Sequence, residues 1–196
     1  MNLSDSINSK VEKNIIENKN ELKLNSIWKV WIHSVKNNSW NDDDYKCLNC
    51  TLTNVSDLLK LYNSFHNFDF KNNHVFIMRE GIKPTWEDPK NRHGGICSIK
   101  TDLYNRAKPE FSSAEVFKYI LLKLCGETLH KDINKANTIN GLSLSPKIYS
   151  NTRRITCIIK IWNSDDNNDI SNEMSEDIIN MYGSLSFRYK ANAPEH

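Results

Sequence analysis

Seven segments rich in β-branched and aromatic residues, three stretches with apolar residues at helical spacing, and Pro- or Gly-marked turns between them predict an α+β domain. Most of the strand segments alternate apolar and polar positions, the pattern of an antiparallel sheet with one covered face, so the helices are expected together on one side of it.

Residues 1–23 are polar, with Lys, Glu and Asn around scattered Ile and Val, and read as a flexible or weakly helical tail ahead of a domain over 24–196. The first strand is LNSIWKVWIHSV, 24–35, with Trp28, Val30 and Ile32 on one face and Trp31, His33 and Val35 on the other. A polar loop, KNNSWNDDD, leads to a second strand around residues 45–53. Asn54 is a good N-cap for a helix carrying Val55, Leu58, Leu61, Tyr62 and Phe65 on one side. HVFIMRE, 74–80, is a strand, and GIKPTWEDPKNRHGG, 81–95, is a long loop punctuated by Pro84, Pro89 and Gly94–Gly95. ICSIKT resumes strand character. Ser112 and Glu115 form a capping box ahead of VFKYILLKLC, with Gly126 as the stop. NGLSLSPKIYS and TRRITCIIKIW are two strands meeting in a hairpin at Asn151–Thr152. NSDDNND reads as a solvated acidic loop. A third helix holds Met174, Ile178, Met181 and Tyr182 on one side and ends at Gly183, and LSFRYKA is a short final strand.

Charge and composition narrow the function classes. The 196 residues carry 26 Lys and Arg against 24 Asp and Glu, a formal charge of +2. That near-balance argues against coating long stretches of nucleic-acid backbone, and leaves room for reading one end or one base. Mean hydropathy is −0.63, lowered by Asn runs such as NNS, KNN and DDNND that read as the base composition of an AT-rich genome. No stretch approaches the roughly 18 apolar residues of a membrane span. MNLSDSINSKVEKN has no apolar core like a secretory leader's, so a cytoplasmic monomer without membrane contact is expected.

Five cysteines are irregularly spaced. Cys47 and Cys50 make half of a zinc or redox signature, but thiols three apart on a strand point to opposite faces, so reduced thiols and no metal are expected. Glu80, Glu87 and Asp88 do not make a metal-binding cluster, no Gly-rich cofactor loop is present, and the six histidines are scattered. Neither a cofactor nor catalysis is expected.

Tryptophan carries the strongest functional signal. Trp28, Trp31 and Trp162 lie in strands, where a buried indole is the simple reading. Trp40 and Trp86 instead sit in polar loops, NNSWNDD and KPTWEDPK, without apolar neighbours. Two loop indoles offer flat π faces of the kind a nucleobase stacks on, and Glu87 adds a carboxylate able to accept two hydrogen bonds side by side.

From residue 24 to about 190 the chain resembles the translation initiation factor 4E family, the messenger RNA cap-binding proteins. The resemblance rests on IWKVW (27–31), NSW (38–40), VSDLLKLYN (55–63), GIKPTWEDPKNRHGG (81–95), LLKLCGE (121–127) and IKIW (159–162). It implies a curved antiparallel sheet of about seven or eight strands with three helices on its convex face. It also implies that Trp40 and Trp86 sandwich 7-methylguanine, that Glu87 receives N1–H and N2–H, and that the Trp86 backbone N–H donates to O6. Trp162 matches the tryptophan near the N7-methyl group. Phosphates would fall to Lys147, then Arg153 or Arg154, with Arg92 and Lys160 as further candidates. Ile96 and Cys97 stand where the family has a basic and then an aromatic residue, so phosphate binding is expected to be weaker or differently placed.

The same resemblance implies a helical face for a scaffold of the 4G kind, built from Val55, Leu59, Lys118, Tyr119, Leu122 and Gly126. Leu59 replaces the family's tryptophan there, Lys118 and Tyr119 replace a Leu-Glu pair, and Leu22-Lys23-Leu24 stands for His-Pro-Leu. Two roles stay open: recruitment of capped messenger RNA for initiation, or competition for the cap without engaging the usual scaffold.

Overall fold

In the structure, a computed structural model, residues 22–148 and 155–192 are described. The expected tail up to residue 21, the turn at Asn151–Thr152, and Arg153 and Arg154 lie outside the described residues. The strands are β1 (Lys23–Ser34), β2 (Lys46–Asn54), β3 (Asn73–Arg79), β4 (Gly95–Asp102), β5 (Ile139–Ile148), β6 (Ile155–Asn163) and β7 (Phe187–Ala191). They form one curved antiparallel sheet in the order β2-β1-β3-β5-β6-β4-β7. Three α-helices join it: α1 (Val55–Ser64), α2 (Ser113–Cys125) and α3 (Glu176–Tyr182).

Strand alternation sorts the side chains into two layers. Trp28, Val30, Val75, Ile77, Leu142, Leu144, Ile159 and Ile161 point to one face and share a core with Leu58 of α1, Val116, Phe117, Ile120, Leu121 and Leu124 of α2, and Ile178 and Tyr182 of α3. Phe76, Met78, Ile96 and Trp162 project from the other face and cluster with Ile82, Trp31 and Tyr45. The sheet therefore has a dry side under the helices and an aromatic side without them.

The helix ends follow the expected signals in part. Asn54 caps α1, its side chain accepting the Asp57 amide at 2.9 Å. Ser112 holds the N-cap position of α2 in extended backbone, but its side chain makes no capping hydrogen bond. The capping box is absent because Glu115 turns instead to Lys118, at 2.7 Å. Gly126 keeps right-handed backbone (φ −79°), and the left-handed residue that closes the helix is Glu127, at φ 54°. A non-glycine there costs on the order of 1 kcal/mol or more. The Glu127 carboxylate accepts from Arg79 at 2.9 Å and from Ser26 Oγ at 2.7 Å. Arg79 also donates to the Ile139 and Ala136 carbonyls at 2.7 and 2.9 Å, and its guanidinium lies 4.6 Å from the Trp28 ring. This clasp ties β1, β3, the end of α2 and the start of β5 together. Burial opposes ionisation of Glu127, but Arg79 and Ser26 outweigh it and hold its pKa below the usual value.

The NSDDNND segment departs from a freely solvated loop. Asn163 and Asn168 are buried. The Asn163 amide donates to the Asp165 and Asn168 carbonyls at 2.7 and 2.9 Å, and its oxygen accepts from the Gly95 amide at 2.7 Å. A Cβ on Gly94 would stand 1.8 Å from the Asn163 carbonyl oxygen, so only glycine fits this junction.

Candidate functional site

On the helix-free face a cleft of about 460 Å³ is lined by Trp40, Trp86, Glu87, Trp162, Lys147 and Lys160, together with Tyr45, His74, Phe76 and Ser145. A larger groove of about 730 Å³, beside Phe65, Tyr104 and Arg106, holds none of the candidate binding residues read from the sequence. The smaller cleft carries the concentrated chemistry.

Trp40 reaches it from the loop after β1, where a hydrogen-bonded turn fixes the chain. Asp44 accepts from Ser39 Oγ at 2.6 Å, from Asn37 at 2.7 Å and from the Asn41 amide at 2.9 Å, which hold its pKa below the usual carboxylate value. The Trp40 indole lies flat on His33, with centroids 4.2 Å apart and planes 2° from parallel, and His74 abuts it edge-on at 4.9 Å. His33 Nε2 bonds the Ser39 carbonyl at 2.8 Å, which places the ring proton there. Nδ1 of His33 and of His74 are buried without partners. Burial, then the charges of His33, Lys147 and Lys160, push the His74 pKa down to about 4. Trp40 is thus backed by two imidazoles yet stays 50% exposed.

Trp86 is held differently. Its loop winds around Asn91, a fully buried residue whose amide donates to the Lys83 and Thr85 carbonyls at 2.9 and 2.8 Å. Asn140 of β5 donates to Asn91 Oδ1 at 2.9 Å and to the Lys90 carbonyl at 2.7 Å, and Asn192 donates to the Asn91 carbonyl at 2.7 Å. Asp88 accepts the Lys83 and Lys90 amides at 2.8 and 2.9 Å. Three asparagines and an aspartate so fix an irregular loop whose tip, Trp86, remains 46% exposed. Glu87 follows it, exposed to solvent. Tyr45 is pushed up to about 12 by burial and by the negative charges of Glu87, Asp42 and Asp44, so it stays a neutral donor.

Trp162 lies on the floor, 2% exposed, its indole N–H donating to Ser143 Oγ at 3.0 Å. Lys160 lies two residues earlier on β6, with its ammonium 5.9 Å from the Trp86 ring centroid. Burial and then the charge of Lys147 hold its pKa below the usual lysine value. Lys147 is exposed, whereas Arg92, also exposed, does not line the cleft. Tyr45, His33 and His74 are residues that sequence reasoning missed. His33 shares a strand face with Trp31, which hinted at its position, but nothing local linked it to Trp40.

A family model described as Eukaryotic initiation factor 4E matches residues 23–195. The chain belongs to the initiation factor 4E family. It is 31% identical over 110 residues to a eukaryotic translation initiation factor 4E homolog of Acanthamoeba polyphaga mimivirus, covering 49% of this chain and 38% of that one. It is 26% identical over 163 residues to eukaryotic translation initiation factor 4E of Candida albicans, covering 78% and 71%. It therefore spans well under half of the viral relative's length and about seven-tenths of the yeast one's. Among solved structures, eIF4E-3 of Ascaris suum with m7G cap superposes with TM-score 0.66 at 18% identity, covering 89% of this chain and 93% of that one. C. elegans eIF4E-3 with the 4E-binding protein Mextli superposes with TM-score 0.65 at 19% identity, covering 87% and 93%. At these identities the likeness is one of fold.

On the helical side of this family member, Leu59 and Leu122 are 40% and 37% exposed, Gly126 is exposed and Val55 half-buried. Lys118 departs from its expected place on that surface. It is 4% exposed, paired with Glu115, and its ammonium lies 4.9 Å from the Tyr62 ring. Tyr119 is half-buried, edge-on to Tyr182 at 5.4 Å. Among the described residues no helix is long and apolar enough to cross a membrane, and no group of three His, Cys, Asp or Glu could hold a metal ion.

Proposed function

We propose that this protein binds the 7-methylguanosine cap of messenger RNA without chemical change to it and serves translation initiation. The observation that carries the reading is the convergence of Trp40, Trp86 and Glu87 on one cleft of about 460 Å³. Methylation at N7 gives guanine a delocalised positive charge, so two indole faces add cation–π attraction to stacking. Stacking is worth about 1–3 kcal/mol per base and cation–π attraction about 0.5–2 kcal/mol. Glu87 receives N1–H and N2–H as a charge-assisted pair, about 1.5–3 kcal/mol each. Adenine presents an acceptor at N1 and leaves that carboxylate unpaired.

Trp162 forms the floor beside the methyl group, and Lys147 faces the phosphates. The solved relative with an m7G cap supports the assignment through its shared fold. Tryptophan quenching by 7-methylguanosine triphosphate tests it. Saturable quenching that adenosine triphosphate does not reproduce, and that Trp86→Ala and Glu87→Ala each weaken at least about tenfold, is expected. Equal quenching by both nucleotides sinks the reading.

The helical face favours a second reading for the partner: cap competition without the usual scaffold. Leu59 offers no indole N–H, and Lys118 is covered by Tyr62. A pull-down with a consensus scaffold peptide separates the two. Tight binding supports recruitment, and failure supports a divergent partner or a repressor.

A further inference from the structure

Lys160 stands where a phosphate-binding lysine is poorly placed and a base-reading one is well placed. The β5–β6 ladder fixes its position: Gly141 pairs with Trp162, Ser143 with Lys160, Ser145 with Ile158 and Lys147 with Thr156. On the cleft face these pairs form successive rows about 7 Å apart, because alternate residues share a face. Lys160 is one row from the Trp162 floor, and its row partner Ser143 is the acceptor of the Trp162 indole N–H. Lys147 is two rows farther on. Lys160 is also the less exposed of the two lysines, and its ammonium already lies 5.9 Å from the Trp86 ring centroid, within cation–π range.

With N7 set beside Trp162, as the family resemblance implies, a base stacked on Trp86 turns its N7 and O6 edge toward this ammonium, one row away. Unmethylated guanine presents two acceptors there, N7 and O6, the pair that lysine and arginine commonly read. 7-Methylguanine offers O6 only and adds a positive charge next to the ammonium. The remaining charged or titratable groups of the cleft do not cancel this. Lys147 adds a second cation, Glu87 is claimed by the opposite edge of the base, and neutral His74 and Tyr45 bring no charge.

We propose that Lys160 sets the base specificity of this cleft, reading N7 and O6 of unmethylated guanine so that the protein accepts guanosine 5′ ends with or without the methyl group. The proposal rests on the cap-binding reading of the cleft. Lys160→Met tests it, since the thioether keeps length and packing while removing the charge. The affinities of 7-methylguanosine triphosphate and guanosine triphosphate are measured for the native protein, Lys160→Met and Trp86→Ala, with melting curves confirming folded variants.

The native protein is expected to prefer the methylated nucleotide by less than about tenfold. Lys160→Met should raise that preference about tenfold, chiefly by weakening guanosine triphosphate. The same rise is expected with the two monophosphates, because the effect lies at the base. If Lys160→Met weakens both nucleotides equally, Lys160 is a phosphate ligand and the proposal fails while the cleft reading survives. If Trp86→Ala changes neither affinity, the cleft reading fails and takes the proposal with it.

Discussion

The two faces of one sheet obey the same alternation and end in opposite states. Under the helices the strands contribute Val, Ile, Leu and Cys, packed to near-zero exposure around Phe117. On the other face they contribute Trp162, Phe76, His74, Lys160 and Ser143, and two indoles stay half exposed above them. The first face is optimised for exclusion of water. The second retains buried imidazole nitrogens without partners and a lysine held below its usual pKa. Under the proposed function, stability and recognition are separable by face, and substitutions should sort accordingly.

The largest effect is expected on the dry face. Phe117→Ala should cost about 3–5 kcal/mol in denaturant unfolding, and the fraction still folded should bind nucleotide normally. A specific loss of affinity in folded Phe117→Ala protein would break the separation.

Next comes acid. The folded state takes up the His74 proton only near pH 4, whereas an unfolded histidine does so near 6.5. Between those values protons favour the unfolded chain, so stability is complete above about pH 6.5 and declines as the pH falls. The loss approaches about 3 kcal/mol at pH 4. His74→Phe should flatten that slope in melting curves recorded across the range.

Trp86→Ala should cost about 1.5–3 kcal/mol of nucleotide affinity while moving the melting temperature by no more than about 2 °C, because its indole belongs to neither core cluster. A large drop in melting temperature would mean that Trp86 supports the fold. The smallest change is expected for His33→Phe, which keeps a ring under Trp40, removes one unpartnered nitrogen and gives up one hydrogen bond. Its stability should stay within about 1 kcal/mol of the native protein.

What could be read from the sequence follows the range of the physics involved. Strand and helix positions came from patterns within ten or so residues. Trp40, Trp86 and Glu87 stood out because indoles in polar loops have no local reason to exist. Asn91 did not stand out: it is buried by partners 49 and 101 positions away, Asn140 and Asn192, and was lost among asparagines attributed to base composition. His33 and His74 lie 41 residues apart in sequence and meet only through the β1–β3 pairing. The Ser112 signature does not fix where Glu115 turns, because Lys118, equally three positions away, offers it a charged partner at 2.7 Å.

The uninterrupted register of β5 against β6 from Gly141 to Ile148 also makes the strand pair a molecular ruler. Four residue steps lead from Ser143 to Lys147, about 13 Å of rail, and both must share parity to look into the cleft. Deleting a single residue between them would turn Lys147 toward the core and shorten the rail at once. Deleting two would restore its outlook but bring the charge some 7 Å nearer Trp162, so under the proposed function whole strand steps set the length of phosphate chain within its reach.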